Sequence, residues 1–221
     1  MGQSFSRRGF VSLSLAALSA LLQRRTAYAQ ESTGPLASWN DGPAKKALLD
    51  FVDSATDTAG AGYVPPARRL ATFDQDGTLW VEHPIYTQVV FALDRVVALA
   101  PQHPEWRATK PFSAVLAGDK AAIAKFTTKD LEAIVIATHT GMDVESFEAT
   151  AKAWSANAKN PRWKRPYTEL VYQPMLEAMS LLRQNGFNIY IVTGGGQDFV
   201  RVYSERFYGI PPSRSSAPRE A

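Results

Sequence analysis

Apolar residues recur every three or four positions in several stretches of the chain, which is the period of a helix that buries one face. On this pattern we predict helices over residues 43–57, 86–100, 129–138, 144–156, 173–185 and 197–208, with Thr128 and Asp143 as N-caps of the third and fourth. Two shorter apolar runs, residues 69–73 and 187–193, are bounded by turn-forming residues and are interpreted as buried strands.

The order of these elements predicts the fold class. Two strands separated by more than 100 mostly helical residues favour an α/β protein whose sheet carries an inserted helical cap. Ligands of such sheets bind outside the carboxyl ends of the parallel strands. Asp74 and Thr193 each stand at the end of a predicted strand, so we expect them to face one pocket.

The start of the chain has a different pattern and predicts an export signal. Arg7 and Arg8 precede an apolar run at residues 11–22, which has 12 residues, whereas a membrane-spanning helix needs about 20. Residues 27–29 (AYA) supply the small side chains that a signal peptidase requires, so the mature chain is expected to start near Gln30. The segment resembles a Tat export signal; an N-terminus with accidentally paired arginines is the alternative.

This resemblance implies partners and a location. The Tat export machinery and signal peptidase would act on residues 1–29. The mature protein would then be periplasmic or secreted, with no stable membrane insertion after cleavage. Tat substrates cross the membrane already folded, so we expect the body of the chain to fold in the cytoplasm.

Charge and cysteine content exclude several classes of site. The net charge is +3, but the leader contributes four arginines and no acid, and the rest of the chain holds 20 bases and 21 acids. The basic segment 159–165 is therefore interpreted as an exposed connector, and no nucleic-acid partner is expected. Because the chain has no cysteine, it has no disulfide, thiolate nucleophile or cysteine-held metal.

Asp74 and Asp76 stand at the end of the first strand, in the segment DQDGT. Because Gly77 lets the chain bend there, both carboxylates can converge on one pocket. Phosphoryl transfer through an aspartyl phosphate needs one acid as nucleophile and another that moves the proton. A phosphate dianion repels an attacking carboxylate, so a divalent cation is expected, and oxygen ligands favour Mg²⁺. A calcium-binding EF-hand loop is excluded, because its twelfth position would be Ile85 rather than Glu.

The second strand ends at Thr193, which is followed by Gly194, Gly195 and Gly196. The threonine hydroxyl and the successive amides can donate to phosphoryl oxygens at the start of the next helix. Glycine suits this role, because a backbone without a side chain allows the closest approach. These residues therefore predict a phosphate-binding turn.

Together, the acidic segment and the glycine turn resemble those of the haloacid dehalogenase (HAD) superfamily, and among its members the phosphoserine-phosphatase-like phosphatases. The resemblance covers roughly residues 69–209. It implies a Rossmann-like parallel sheet with a mostly helical cap between strands 1 and 2. It also implies that Asp74 is the nucleophile and a magnesium ligand, and that Asp76 is the general acid/base and contributes to the metal site.

The same resemblance implies where a substrate binds. Thr193, Gly194 and Gly195 would bind the phosphoryl group of a small phosphorylated substrate. Glu82 follows the acidic segment at about the distance where family members have a flap over the site, so it is a candidate substrate contact. The alternative for Glu82 is an ordinary solvated side chain.

Two further motifs of the family have no counterpart here. One supplies a lysine or arginine that offsets charge beside Asp74, and the other supplies an acidic pair that completes the metal shell. Residues 210–221 contain two adjacent prolines and no apolar strand, so we expect an irregular tail. The chain is therefore expected to be a C-terminally truncated or frame-shifted member whose last strands are missing.

Three functions remain open from the sequence. The family resemblance implies an exported, magnesium-dependent phosphomonoester hydrolase that acts through an aspartyl phosphate, and this is the leading interpretation. The first alternative is a catalytically inactive remnant that binds anions, which the two missing motifs favour for the 221-residue chain, so that activity of this chain stays open. The second is an exported protein that binds a metal without catalysis.

The expected organisation divides the chain into five parts. They are a signal peptide at 1–29, an N-terminal arm and helix at 30–68, a partial core at 69–80 and 170–209, a helical cap at 81–169 and the irregular tail at 210–221.

Overall fold

Residues 34–216 are described by the structure, a computed structural model of the chain. The predicted signal peptide at residues 1–29 lies outside the described residues. Within residues 34–216, no helix is both long enough and apolar enough to cross a membrane.

Eight α-helices form in the described part of the chain, and six of them confirm the helices predicted from the periodic pattern. They are α1 (Pro43–Thr56), α2 (Thr87–Leu99), α3 (Phe112–Leu116), α4 (Lys120–Ile123), α5 (Thr128–His139), α6 (Val144–Asn157), α7 (Gln173–Gln184) and α8 (Gln197–Tyr208). Helices α3 and α4 have five and four residues, which is too short for a periodic pattern to reveal them.

Side chains at the helix ends explain where several helices begin and end. The N-cap of α6 is Asp143, as predicted, and its carboxylate accepts from the Ser146 amide at 2.7 Å. The N-cap of α5 is Thr127 rather than the predicted Thr128, because Thr127 forms a reciprocal capping box with Asp130. Helix α8 ends at Gly209, whose φ of 62° closes the helix in the left-handed region.

The sheet has three parallel strands in the order β1-β2-β3. They are β1 (Leu70–Phe73), β2 (Asn188–Val192) and β3 (Ser215–Ser216). Phe73 pairs with Ile191, and Ile191 also pairs with Ser215 on the other side. The two predicted strands are confirmed as parallel neighbours, and the chain between them is mostly helical.

The prediction of an irregular tail from residue 210 onward is wrong for Ser215 and Ser216, which form β3. A 3₁₀ turn at Pro212–Arg214 precedes them and returns the chain to the sheet. No sequence pattern indicates this strand, because backbone pairing with β2 requires no apolar side chain and two serines carry no strand pattern.

The main hydrophobic cluster joins the sheet to helices α1, α2, α6, α7 and α8. Its largest fully buried side chains are Leu79, Trp80, Phe91, Met179, Ile189, Ile191, Phe199 and Ile210. The N-terminal arm is fixed to this body by Trp39, whose indole N–H donates to the Pro174 carbonyl at 2.9 Å.

A second hydrophobic cluster lies within the helices between β1 and β2. It joins α2, α3, α5 and the turn that carries Trp106. Its buried members are Ala92, Val96, Trp106, Phe112, Val115 and Ile134. The predicted cap segment, residues 81–169, thus contributes to both clusters, because α6 packs in the main one.

Aromatic rings connect α2 and α6 to α8. Phe91 of α2 stacks on Phe199 of α8 with ring centres 5.3 Å apart, and Trp154 of α6 meets Phe91 edge-on at 5.3 Å. Phe91 and Phe199 are almost completely buried. These contacts position the first turn of α2 beside the start of α8.

His139, the last residue of α5, is a histidine held in an apolar environment. Its ring packs against Phe91 and Phe147, with ring centres 5.5 and 5.0 Å away, and its Nε2 is buried without a hydrogen-bond partner. Burial, together with the positive charge of Arg95, lowers the pKa of His139 to about 4. The folded protein therefore favours the neutral ring.

This environment predicts a loss of stability in mild acid. The unfolded chain binds a proton at His139 near the ordinary pKa of about 6.5, whereas the folded chain resists it until about pH 4. The contribution of the neutral His139 ring to the free energy of unfolding is therefore fully present above pH 6.5, and it declines as the pH falls toward 4. Between pH 7 and pH 5 the free energy of unfolding should fall by about 2 kcal/mol through this one group.

Urea unfolding of His139→Gln at the two pH values tests this expectation, since the variant should lose about 2 kcal/mol less than the unaltered protein. Ile134→Val is the matched control on the same helix: it should cost about 1 kcal/mol at both pH values and keep the original pH dependence. An equal acid loss in His139→Gln and the unaltered protein contradicts the assignment.

Candidate functional site

The pairing of β1 with β2 brings the two sequence-predicted segments to one edge of the sheet. Phe73 is opposite Ile191, so Asp74 leaves β1 at the level where β2 runs through Val192 to Thr193. Both strands are parallel, so their carboxyl ends meet at the same edge. The predicted convergence of the acidic segment and the glycine turn at this edge is therefore present.

A tight turn follows β1 and determines where its two acids lie. The Gln75 carbonyl accepts hydrogen bonds from the amides of Thr78 and Leu79 at 3.3 and 2.9 Å, and the Gly77 amide donates to the Trp80 carbonyl at 3.0 Å. Gly77 has a φ of +74°, a conformation that side chains strongly disfavour. The turn thus depends on glycine at this position.

Two sets of contacts attach this turn to the body of the protein. The buried Gln75 side chain donates from Nε2 to the Tyr208 hydroxyl at 3.0 Å. On the far side of the turn, the Val81 amide donates to the Leu170 carbonyl at 3.2 Å, and the Tyr172 amide donates to the Leu79 carbonyl at 2.9 Å. These hydrogen bonds therefore attach the acidic turn to the body of the protein on both sides.

Asp76 is the half-buried acid of the pair. Its Oδ1 accepts from the Trp80 indole N–H at 2.8 Å, and its Oδ2 lies 3.8 Å from the position that a Cβ would take on Gly195. Burial raises the pKa of Asp76, the Trp80 hydrogen bond opposes this effect, and the nearby charges of Asp74 and Glu82 raise the pKa further. Asp76 therefore keeps a proton more readily than an ordinary aspartate does.

Asp74 is exposed at the end of β1, so its carboxylate is open to a ligand from solvent. It lies near enough to Asp76 to contribute to the raised pKa of that residue. An exposed carboxylate beside a half-buried one gives the site two acids in different environments, which is the condition for giving them different chemical roles.

Glu82, the candidate substrate contact, lies over the acidic turn. Its carboxyl carbon is 2.7 Å from the position that a Cβ would take on Gly77, so the two residues are in close contact. Its Oε1 is 3.4 Å from His83 Nε2. Glu82 is thus the third carboxylate around this turn, in agreement with its electrostatic effect on Asp76.

Thr193 and the glycines lie across from the acidic turn at this edge of the sheet. Thr193 is buried, and its Oγ1 accepts from the Gly195 amide at 3.1 Å. Gly194 is exposed, and a Cβ there would meet no atom within 4 Å. Gly196 is the N-cap residue of α8, which places these amides at the positive end of that helix.

Gln88 also belongs to the site, although the sequence did not reveal it. It lies in the first turn of α2, and its Oε1 accepts from the Gly196 amide at 2.6 Å. Only the folded structure reveals this contact, because Gln88 and Gly196 are 108 positions apart in the chain. No periodic pattern or motif links two such positions.

Trp80 and Tyr203 were also missed. Trp80 holds Asp76 through its indole, and Tyr203 of α8 packs against Trp80 with ring centres 4.6 Å apart. The Tyr203 hydroxyl is buried without a hydrogen-bond partner, and burial raises its pKa well above the usual value. A tryptophan four residues after an acid is the one local signal that the sequence offers.

The oxygen atoms at the acidic turn fit a hydrated Mg²⁺. Asp76 Oδ1 is already an acceptor for Trp80, so the ligands for a cation are the exposed Asp74 carboxylate and the Asp76 backbone carbonyl that the family resemblance implies. Mg²⁺ in proteins commonly keeps several waters and takes one or two carboxylates with substrate phosphate oxygens, so this set suffices for such an ion. Residues 34–216 contain no group of three or more His, Cys, Asp or Glu side chains able to hold a metal by themselves.

Comparison with known proteins agrees with this geometry. A family model described as haloacid dehalogenase-like hydrolase matches residues 69–213, which includes both strand-end segments and all the helices between them. A comparison with curated proteins found no match. The family match covers well over half of the chain, and the protein therefore belongs to the haloacid dehalogenase-like hydrolases.

Proposed function

We propose that the protein is a magnesium-dependent phosphomonoesterase that forms an aspartyl phosphate on Asp74. The observation that carries this proposal is the approach of the two strand-end segments, in which Asp76 Oδ2 lies 3.8 Å from the Cβ position of Gly195. An acid turn and an amide-rich turn therefore line one crevice at the edge of the sheet. A tetrahedral phosphoryl group needs both a nucleophile and donors, and the crevice offers them from opposite walls.

In the first step, a carboxylate oxygen of Asp74 attacks phosphorus. The bond from phosphorus to the leaving-group oxygen breaks, and that oxygen takes a proton from the carboxylic acid of Asp76. The raised pKa of Asp76 supports this role, because it increases the fraction of the acid that carries a proton. The exposure of Asp74 supports its role, since a nucleophile must be reached by the substrate.

In the second step, water attacks the phosphorus of the aspartyl phosphate. Asp76, now a carboxylate, takes the proton of that water, and the bond between phosphorus and Asp74 breaks. Inorganic phosphate leaves, and both acids return to their initial states. One half-buried carboxyl thus serves first as acid and then as base.

The buried hydroxyl of Thr193 and the amides of Gly194 and Gly195 would bind the phosphoryl oxygens at the positive end of α8. Mg²⁺, when bound, would be held by the Asp74 carboxylate and the Asp76 backbone carbonyl, which leaves the Asp76 carboxyl free to carry a proton, and it would neutralise negative charge between the acids and the phosphate. Glu82 would face the outer part of the substrate from its place over the acidic turn.

The substrate class follows from the helices between the strands. We assign the segment from α2 to α6 to a cap of the phosphoserine-phosphatase-like type, since it follows the acidic turn directly and has its own hydrophobic cluster. A cap of this kind leaves a small crevice, so the proposed substrate is a small phosphorylated molecule rather than a polymer.

A second candidate is anion binding without turnover. It is favoured by the small number of metal ligands, since the part of the chain from 34 to 216 holds no cluster of three or more acidic or histidine ligands. Under this alternative, the glycine turn would bind phosphate while Asp74 would not become phosphorylated. Phosphate binding by the unaltered protein, without hydrolysis, would support it.

The role of Asp74 can be tested by removing its nucleophilic charge. Asp74→Asn should reduce magnesium-dependent hydrolysis of p-nitrophenyl phosphate by at least about 1000-fold, because an amide oxygen does not form the covalent phosphate. Acid-quenched covalent labelling by phosphate should also disappear. Asp53→Asn, an exposed position on α1, is the matched control and should keep full activity. Hydrolysis that survives in Asp74→Asn rules out this mechanism.

The role of Asp76 can be tested through the leaving group. In single turnovers, Asp76→Asn should slow release of an alkyl alcohol by about 100- to 10,000-fold, because alkoxide leaving groups require a proton donor. Release of p-nitrophenolate, which leaves without a proton, should be slowed much less. Rapid-quench measurement of both substrates gives the comparison, and equal slowing of the two would argue against a general-acid role.

The proposed location is the periplasm or the exterior, and it depends on the leader rather than on the described residues. In a bacterium with Tat transport, replacing Arg7 and Arg8 together by Lys should leave unprocessed precursor in the cytoplasm, whereas the intact chain should be processed and exported. Replacing Arg24 and Arg25 by Lys is the control and should keep export. Fractionation and immunoblotting provide the measurement, and continued export of the first variant would remove the Tat assignment.

A further inference from the structure

Gln88 brings a neutral side-chain amide against the glycine turn of the proposed phosphate site. A Cβ on Gly196 would lie 2.6 Å from Gln88 Nε2, and a Cβ on Gly195 would lie 3.1 Å from Gln88 Oε1. The amide group of Gln88 therefore contacts both glycines. Neither glycine has a positive φ, so the backbone conformation does not explain glycine at these two positions. The close approach of Gln88 explains it, because a Cβ at either position would crowd the Gln88 amide group.

The amides of this turn are already used as donors inside the protein. The Gly196 amide donates to Gln88 Oε1 at 2.6 Å, and the Gly195 amide donates to Thr193 Oγ1 at 3.1 Å. A phosphoryl oxygen that uses either amide must replace the internal acceptor. Since each N–H has a single proton to donate, ligand and internal acceptor compete directly.

We propose that Gln88 is a placeholder for the phosphoryl group: its Oε1 occupies the Gly196 N–H in the free protein and is replaced by a phosphoryl oxygen on binding. This inference rests on the proposed function, because it assigns the regulation of affinity at the same site. It makes Gln88 a positioning residue that sets how tightly phosphate and phosphomonoesters bind. The exchange also links occupancy of the crevice to the first turn of α2.

The type of side chain at this position matters electrostatically. Asp74, Asp76 and Glu82 already place three carboxylates around the facing turn, and burial together with the charges of Asp74 and Glu82 raises the pKa of Asp76. A neutral amide accepts from Gly196 without adding a fourth negative charge. A carboxylate at position 88 would hold the Gly196 N–H more strongly and would repel a phosphate dianion.

The experiment measures binding of inorganic phosphate in the presence of Mg²⁺ by titration calorimetry, and the Gly196 amide signal by ¹H–¹⁵N NMR. Gln88→Met keeps the length of the side chain without its oxygen acceptor, and Gln88→Ala removes the side chain. Both should tighten phosphate binding by about threefold to tenfold, the equivalent of one net hydrogen bond. Gln88→Glu should weaken phosphate binding by at least about tenfold.

Three further readouts separate a placeholder from a merely structural residue. Without phosphate, the Gly196 amide signal should move in Gln88→Met and Gln88→Ala, since its acceptor is gone. In the unaltered protein, phosphate should move the same signal. In hydrolysis assays, Gln88→Met should lower KM while kcat changes little, because the exchange affects binding and not the chemical step. Gln102→Ala, an exposed glutamine just beyond α2, is the matched control and should change none of these values.

The outcomes distinguish this inference from the proposed function. Weaker phosphate binding in both Gln88→Met and Gln88→Ala would overturn the inference, because Gln88 would then be a ligand and not a competitor. An unchanged dissociation constant with an unmoved Gly196 signal would also overturn it, while hydrolysis by the unaltered protein would leave the phosphatase assignment standing. The expected binding changes without any hydrolysis would support the placeholder and reject the phosphatase. A protein that binds no phosphate at all would reject both.

Discussion

The parallel pairing of β1 with β2 is the constraint on which the rest of the structure depends. It places Phe73 opposite Ile191, and this register alone brings residues 74–76 and 193–196 to the same edge. The two strands come from distant parts of the chain, and the helices between them have to fold back over the sheet for the pair to form. A shift of one residue in this register would turn the strand-end side chains to opposite faces.

The crevice combines acids that repel one another with amides that attract anions. Three carboxylates surround the turn at Gly77, where burial of Asp76 and the charges of Asp74 and Glu82 raise the pKa of Asp76. On the other wall, Thr193 and Gln88 satisfy the amides at the start of α8. A phosphorylated ligand that uses these amides would therefore replace hydrogen bonds that the free protein already makes.

Much of this architecture was predictable from local patterns, and the remainder was not, for physical reasons. The six longer helices and both apolar strands followed from periodicity, and the convergence of Asp76 with Gly195 followed from the rule that parallel strands end at one edge. Strand β3 was missed because its pairing uses the backbone of two serines. Gln88 was missed because its contact with Gly196 is made through space by a residue type without a pattern of its own. The predicted N-cap of α5 was wrong by one residue, because Thr127 and Thr128 are equally good caps by residue type. Only the capping box with Asp130 distinguishes them.

The stacked rings of Phe91 and Phe199, with Trp154 edge-on to Phe91, restrict how the crevice admits a guest. A hinged swing of α2 and α6 away from α8 would bring these apolar surfaces into water, at a cost of ~1.5 to 3 kcal/mol for each large ring. Wide opening would therefore be rare at equilibrium. These ring contacts therefore hold α2 and α6 against α8, and a ligand has to fit beside the aromatic contacts rather than displace them.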